Sequence, residues 1–377
     1  MQKTKEKNSK NKSLKFICKI FDNLFQFLFI LAFVIGFQTI FGSENTLIGV
    51  AIGVGMTMFP KGYTGVKRYV GVSMIILLYT MSVIVGQFAV LPIWWAIPVY
   101  FLYTVFLLAL SIEPDFLKPS VTFLLCFVFA QSSPVKWSLF PKRLAGTVIT
   151  ASLVAFVTYI YWKKNNQGGI EGRNYKEQIA KSIKHKSYIM RMSIGLTTAM
   201  TIAYIFNIQK PLWISIVVMS LTQISSAETF SRLKYRAIGT IVGSILFLLL
   251  FINFVPNQYH NSAILFIGYI GYFFPDYKYK QVINAISALY ASLVIFNAPN
   301  AIFARSICFV CGAIIVVVLY AISKTKEKTF IKNGKTNNAV RTKKYAIYSF
   351  VAYSNISTVP TQKSNETPPA KNGISIT

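Results

Sequence analysis

The stretch SRLKYRAIGTIVGS, residues 231–244, joins a cluster of cations to a glycine-spaced apolar run. A charge that enters hydrocarbon costs about 2.5–3.5 kcal/mol on insertion scales, so Arg232 and Arg236 at the edge of a span either anchor it or serve a function. Gly239 and Gly243 are four residues apart, so they share one helical face and let a neighbouring backbone approach closely. The pattern predicts a packed helix entrance whose rim attracts anions.

A related stretch, GVKRYVGVS, opens an apolar run in the first half of the chain. Aligning Arg68 with Arg236 places Gly71 on Gly239. Three further correspondences follow in the same order, at offsets between 161 and 168 residues: Leu47 with Leu212, Pro114-Asp115 with Pro275-Asp276, and Arg143 with Arg305. Ordered matches at a nearly constant offset predict an internal duplication.

The composition is that of an integral membrane protein. Hydrophobic residues make up 54% of the 377 residues, charged residues only 13%, and the mean hydropathy is +0.51. The net charge of +28 does not indicate nucleic-acid binding, because 24 of the 39 cations lie in residues 1–19, 163–187 and 324–377. Cations beside spans mark the cytoplasmic side and attract anionic membrane lipids, which we expect as partners.

We therefore expect an all-α integral membrane protein of about 12 transmembrane helices, arranged as two six-helix parallel repeats. The predicted parts are a basic, disordered cytoplasmic leader, a first membrane repeat, a basic cytoplasmic linker, a second repeat and a basic, disordered cytoplasmic tail: residues 1–23, 24–162, 163–187, 188–323 and 324–377. An even number of spans in each half keeps both termini inside. Frequent lysine, asparagine and isoleucine favour the cytoplasmic membrane of a bacterium.

Four predicted spans are shorter than the roughly 20 helical residues that cross the hydrocarbon: residues 46–59, 211–225, 120–131 and 281–296. They occupy corresponding positions in the two halves. Short segments in such positions point to a transport site, although boundaries drawn too tightly would give the same pattern.

The segment KPLWISIVVMSLTQ, followed by RLKYRAIGTIVGSILF, resembles the fusaric acid resistance protein-like (FUSC) superfamily. That group includes aromatic acid exporters and is related to plant aluminium-activated malate transporters. The resemblance is strongest over residues 211–247 and weaker over 46–76. It implies a duplicated six-span unit and the efflux or permeation of small organic anions. Many members carry a sizeable cytosolic domain, which the 25-residue linker here does not match.

The candidate substrate path consists of arginines, because a guanidinium pairs with a carboxylate through two parallel hydrogen bonds. Arg68 and Arg236 are predicted at the cytoplasmic entrances, and Arg143 and Arg305 at the opposite mouth. Membrane anchoring or contact with lipid headgroups is the alternative for Arg68 and Arg236. For Arg143 and Arg305, the alternative is a miscounted span that places them elsewhere. The residues predicted to pack the entrance are Gly71, Gly239, Thr240 and Gly243.

Acidic residues are few and have smaller predicted roles. Asp115 and Asp276 either pair with the arginines and take part in coupling, or stabilise turns, which we favour. Glu228 stands four residues before Arg232 and is expected to form a helical surface pair.

Neither cofactor nor metal is expected. The sequence has no P-loop, and Cys308 and Cys311 have the spacing of half a zinc site without a second half. With Glu113 and Asp115 as its one close acidic pair, an enzyme acting on lipid is disfavoured. The leading hypothesis is a transporter, in particular an exporter of small organic anions, with aromatic ones among the candidates. An organic-anion channel and a non-transporting scaffold of an envelope complex are the alternatives, and homo-oligomerisation stays open.

Overall fold

A computed structural model describes residues 2–274 and 276–325, with side chains from Ile17 onward. The chain divides into two compact units, Met1–Ala321 and Ile322–Thr377, and only residues 322–325 of the second are described. The described residues contain thirteen α-helices: α1 Gln2–Phe41, α2 Thr46–Met58, α3 Arg68–Gln87, α4 Ile93–Ser111, α5 Ser120–Ser132, α6 Phe140–Lys164, α7 Tyr175–Ser182, α8 Lys186–Ile205, α9 Leu212–Leu221, α10 Ser226–Leu248, α11 His260–Ile270, α12 Tyr277–Tyr290 and α13 Ala298–Thr325.

Six of these helices are long and apolar enough to cross a membrane, judged by length and composition. They are α1, α3, α4, α6, α10 and α13, and α10 reaches Phe254 through a π-helical segment, Leu249–Phe254. The described residues therefore form an all-helical, multi-pass membrane protein. The arrangement as two six-helix repeats stays a prediction.

The four segments predicted to be short do form short helices. Helices α2 and α5 have 13 residues each, α9 has 10 and α12 has 14. At a rise of 1.5 Å per residue, α9 spans about 15 Å, half of a typical hydrocarbon layer.

The leader differs from the sequence prediction, because α1 begins at Gln2 and runs without a break into the first span. Residues 2–23 contain neither glycine nor proline and are rich in good helix formers, so nothing in them ends a helix. The predicted disordered tail lies outside the described residues from residue 326 onward.

The linker is folded onto the turn between α2 and α3. The amide of Lys67 donates to the carbonyl of Arg173 at 3.0 Å, and the amide of Arg173 donates to the carbonyl of Gly65, also at 3.0 Å. Gly65 and Gly168 have φ of +73° and +69°, values that glycine adopts without strain. We call the helix ends beside this linker the linker face, and the other ends the opposite face.

Buried side chains join the two halves. The larger hydrophobic cluster runs from Phe37 in α1 to Tyr320 in α13 and includes residues from most helices between them. A smaller cluster around Phe247 and Leu289 joins α10, α12 and the start of α13. The short helix α9 belongs to the larger cluster, so its surroundings are fixed by both halves.

Candidate functional site

Arg236 lies inside α10 and not at its entrance. Helix α10 begins at Ser226, ten residues earlier, so Arg236 falls in the third turn and is only 7% exposed. Its Nη1 donates to the hydroxyl of Ser220, near the end of α9, and its guanidinium lies beside Tyr277. Among the described residues no carboxylate forms an ion pair with Arg236.

Arg305 lies near the other end of α9. Its guanidinium carbon is 5.4 Å from the centre of the Trp213 ring, an arrangement typical of a cation–π contact. The sequence predicted Arg236 and Arg305 at opposite mouths. In the structure, Arg236 contacts Ser220 near the end of α9, and Arg305 contacts Trp213 near its start.

Arg143 has a different environment. It is 1% exposed, and its three nitrogens all donate to protein oxygens. Nε reaches Asn45 Oδ1 at 2.6 Å, Nη1 the carbonyl of Ser133 at 2.8 Å, and Nη2 the carbonyl of Glu44 at 3.0 Å. The guanidinium is thus used to tie α6 to the turns before α2 and after α5.

The contacts of Arg143 and Arg305 support the predicted duplication without establishing it. Arg143 in α6 contacts Asn45, directly before α2, and Arg305 in α13 contacts Trp213, at the start of α9. In each half, the arginine of the last helix therefore contacts the start of a short helix.

Arg68 is the first residue of α3 and holds the linker. Its Nε donates to the carbonyl of Gln167 at 2.7 Å, and its amide donates to the carbonyl of Gly168 at 2.9 Å. Nearby, Gly71 lies against α6, where an added Cβ would be 2.5 Å from a ring carbon of Trp162. Arg68 therefore holds the linker against the start of α3.

Two glycines bring α10 against α12 on the side of the helix that carries Arg236. An added Cβ would lie 2.6 Å from Gln281 Cβ at Gly239 and 2.5 Å from Ala285 Cβ at Gly243. The hydroxyl of Thr240 donates to the carbonyl of Arg236 at 2.9 Å, within the helix. The turns that hold Arg236 therefore have little freedom to shift.

A cavity of about 140 Å³ opens beside α9 between the two halves. Its polar lining residues are Asp115, Lys118, Ser120, Tyr188, Ser220, Gln223 and Arg232. Ser220, which lines the cavity, also accepts a hydrogen bond from Arg236, so that guanidinium lies one residue away from the cavity wall. A series of cations thus runs from the cavity, along α9, to Arg305.

An ion-pair network closes one side of this cavity. Lys118 Nζ lies 2.8 Å from Gln223 Oε1 and 3.0 Å from Glu228 Oε1. Arg232 Nη2 lies 2.9 Å from the same Glu228 oxygen, so the helical pair predicted from the sequence is present. Lys118 precedes α5, whereas its partners lie in the second half of the chain, so the network spans the two halves.

Asp115 and Asp276 both lie in the turn before a short helix and are exposed. Asp115 lines the cavity, and Asp276 precedes α12, where its carbonyl accepts from the amide of Lys280 at 3.2 Å. Neither forms an ion pair with an arginine among the described residues. Their role in turns or in coupling stays a prediction.

Sequence reasoning did not find Lys118, Gln223, Tyr188 or Ser220. Lys118 meets Glu228 across 110 residues, and no spacing rule connects them. Ser220 carried a usable signal, since it is a small polar residue in the otherwise apolar end of a short segment.

The electrostatics of this region favour an anion. Arginine stays charged at neutral pH, and buried charges in proteins are normally paired. Arg236 is buried and Arg305 is half-buried, and neither forms an ion pair with a carboxylate in the described part of the chain. An anion placed beside α9 would supply the missing negative charge.

A protein-family model matches the part of the chain that contains α9 and its neighbours. The model of the fusaric acid resistance protein-like family matches residues 198–319. The resemblance predicted from the sequence is thereby confirmed. The match covers the last eight residues of α8, all of α9 to α12 and most of α13, and it includes Arg236 and Arg305. It leaves out the first half, with Arg68 and Arg143, and the likeness to plant malate transporters stays a prediction. No curated protein and no solved structure gave a match.

Proposed function

We propose that the protein is a membrane transporter that exports small organic anions along a path beside α9. The observation that carries this proposal is the placement of Arg236 and Arg305 beside the two ends of α9, neither of them in an ion pair with a carboxylate among the described residues. A transported carboxylate supplies the missing charge, and a short helix buried among longer ones is a common setting for such a site.

The proposed path has a defined beginning on the linker face. An anion first enters the cavity lined by Lys118 and Arg232, then passes Ser220 to reach Arg236, and continues towards Arg305 and Trp213. Successive cations of this kind bind an anion at several sites, so none has to hold it too tightly for release.

Arg68 and Arg143 are not part of this proposed path. Arg68 donates to the linker, and Arg143 donates to three oxygens of neighbouring turns. We assign both to the support of the helices that surround the path.

The direction of transport is proposed from the family match. A family described by resistance to fusaric acid, an organic acid, is consistent with export across the cytoplasmic membrane of a bacterium. The basic segments 163–187 and 324–377 support an orientation with both termini inside.

An anion channel is the second candidate, favoured by the positions of the acidic side chains. Among the described side chains, no carboxylate lies in the central part of the six long helices. The described acidic residues are Asp22, Glu44, Glu113, Asp115, Glu171, Glu177, Glu228 and Asp276. A proton relay through buried carboxylates, which many antiporters use, has no counterpart in these helices.

Flux through the purified protein in liposomes tests the proposal. Labelled benzoate and a set of aliphatic carboxylates are followed with and without a pH gradient. Flux that the gradient accelerates supports the exporter, and flux that ignores the gradient supports the channel. Folded protein that carries none of these anions would reject both and favour the scaffold.

A further inference from the structure

We propose that Glu228 occupies the position of a substrate carboxylate, and that Lys118 and Arg232 bind a small monocarboxylate in the adjoining cavity once Glu228 has left. This inference rests on the proposed transport function and names the first binding site on its path. The described contacts of the three side chains provide the argument.

The described contacts of the Glu228 carboxylate with Lys118 and Arg232 all involve one oxygen, Oε1. Glu228 Oε1 lies 3.0 Å from Lys118 Nζ, 2.9 Å from Arg232 Nη2 and 3.1 Å from Arg232 Nε. An ammonium and a guanidinium edge around one carboxylate are the groups that also bind a free carboxylate ligand. Lys118 and Arg232 line the cavity, whereas Glu228 does not. The two cations therefore lie between a tethered carboxylate on one side and an open space on the other.

The existing ion pairs are weak enough to be exchanged. The side chains of Glu228, Lys118 and Arg232 are 41%, 38% and 24% exposed. Ion pairs that are this exposed to water add little to stability, so a ligand that brings its own carboxylate replaces them at little cost. A fully buried ion pair would resist such an exchange.

The rest of the cavity sets the size and character of the ligand. Leu124, Met192 and Met219 supply an apolar wall, and Tyr188 adds a ring. Methionine side chains adapt to ligands of different shape. A volume of about 140 Å³ is below the roughly 300–1,000 Å³ of pockets for drug-sized ligands. The ligand class is a carboxylate with one small apolar or aromatic body, not a large or multiply charged anion.

Exchange of the carboxylates also changes the contact between the halves. Lys118 belongs to the turn between α4 and α5, and Glu228 lies in the first turn of α10. When a substrate takes the place of Glu228, the ion pair between these two elements is lost. The ligand and Glu228 compete for the same cations. Ligand binding therefore weakens the contact between the first half, which carries Lys118, and the second half, which carries Glu228.

Equilibrium dialysis of labelled benzoate against the purified full-length protein tests this inference without transport. Glu228→Gln removes the competing carboxylate, and we expect benzoate to bind about tenfold more tightly, the factor expected when about one tenth of the molecules are open in the wild type. Lys118→Gln should weaken binding. Glu171→Gln is the matched control, since it removes an exposed carboxylate from the linker without touching the cavity, and should leave binding unchanged.

Equal or weaker binding to Glu228→Gln, or no binding to either protein, overturns the inference. A Glu171→Gln variant that gains as much affinity as Glu228→Gln overturns it as well, because the gain would then come from net charge. The transport function fails on a different observation, the absence of anion flux through the wild type. Flux that depends on Arg236, together with unchanged benzoate binding in Glu228→Gln, keeps the function and rejects this role for Glu228.

Discussion

Arg143 Nε donates to Asn45 Oδ1 at 2.6 Å and thereby joins the start of α6 to the turn before α2. Its two other nitrogens donate to the carbonyls of Ser133 and Glu44. A flat guanidinium satisfies three acceptors that lie in different directions, and no other side chain offers that set of donors. The arginine therefore joins three segments that meet at the opposite face.

Replacing Arg143 should therefore affect stability more than transport. Arg143→Gln is expected to destabilise the protein by about 3 kcal/mol, because buried acceptors lose charged donors. Arg143→Lys should recover little of the lost stability, because a single ammonium group does not reproduce the planar set of donors of the guanidinium. Thermal unfolding in detergent measures the first effect. Anion flux per folded molecule should stay close to that of the wild type, and a loss as large as that of Arg236→Gln would place Arg143 in the path.

The close approach of α10 and α12 gives a second prediction. Gly243→Ala would place a methyl group 2.5 Å from Ala285 Cβ and 2.9 Å from the carbonyl of Val282, so the helices must separate. We expect a loss of about 1–3 kcal/mol in stability. Gly36→Ala is the control, because nothing lies within 4 Å of the added atom, and it should be neutral or slightly stabilising. Equal effects of the two substitutions would contradict the packing of α10 on α12.

A third prediction concerns the attachment of the linker through Glu113. This side chain is 3% exposed and accepts from Lys184 Nζ at 2.6 Å and from His185 Nε2 at 2.9 Å. Burial raises the pKa of Glu113, but hydrogen bonds from Lys184 and His185 and the charges of Lys184 and Lys181 outweigh it, so the pKa is lowered overall. The ionised carboxylate therefore stabilises the folded state.

The pH dependence follows from that direction. A carboxyl group whose pKa is lower in the folded state stabilises the fold above its unfolded pKa, roughly 4.3 for glutamate, and this contribution is lost as the pH falls through the folded pKa. Wild type should be more stable than Glu113→Gln at pH 7, and the difference should shrink on acidification below about pH 4. Melting temperatures of both proteins across this range measure the effect. A difference that grows towards low pH would contradict the lowered pKa.

The sequence predicted the features that depend on local composition. The short helices follow from the lengths of apolar segments, and the glycine face of α10 follows from the spacing of Gly239 and Gly243. The bounds of α10 were missed, although Ser225 to Glu228 has the S-x-x-E pattern of a helix start. With that start, Arg236 would have been placed inside the helix and not at its entrance.

Contacts between distant segments could not be predicted in this way. The position of Lys118 beside Glu228 depends on how the two halves pack. The residue pattern within either segment does not predict that packing. The same holds for Arg236 and Arg305. Both residues were identified from the sequence, but their positions beside the two ends of α9 depend on how α10 and α13 pack against it. The leader was misjudged because its charge indicated disorder, whereas its helix-forming residues continue α1.

The most direct test of the path beside α9 is benzoate flux in proteoliposomes with Arg236→Gln and Arg305→Gln. Lys163→Gln serves as the control, because it removes an exposed cation from the end of α6 without touching α9. We expect flux to fall at least tenfold in both arginine variants, as when about 1.4 kcal/mol of anion stabilisation is lost, and to stay near the wild-type rate in the control. Wild-type flux in both arginine variants, at normal folding and insertion, would contradict it.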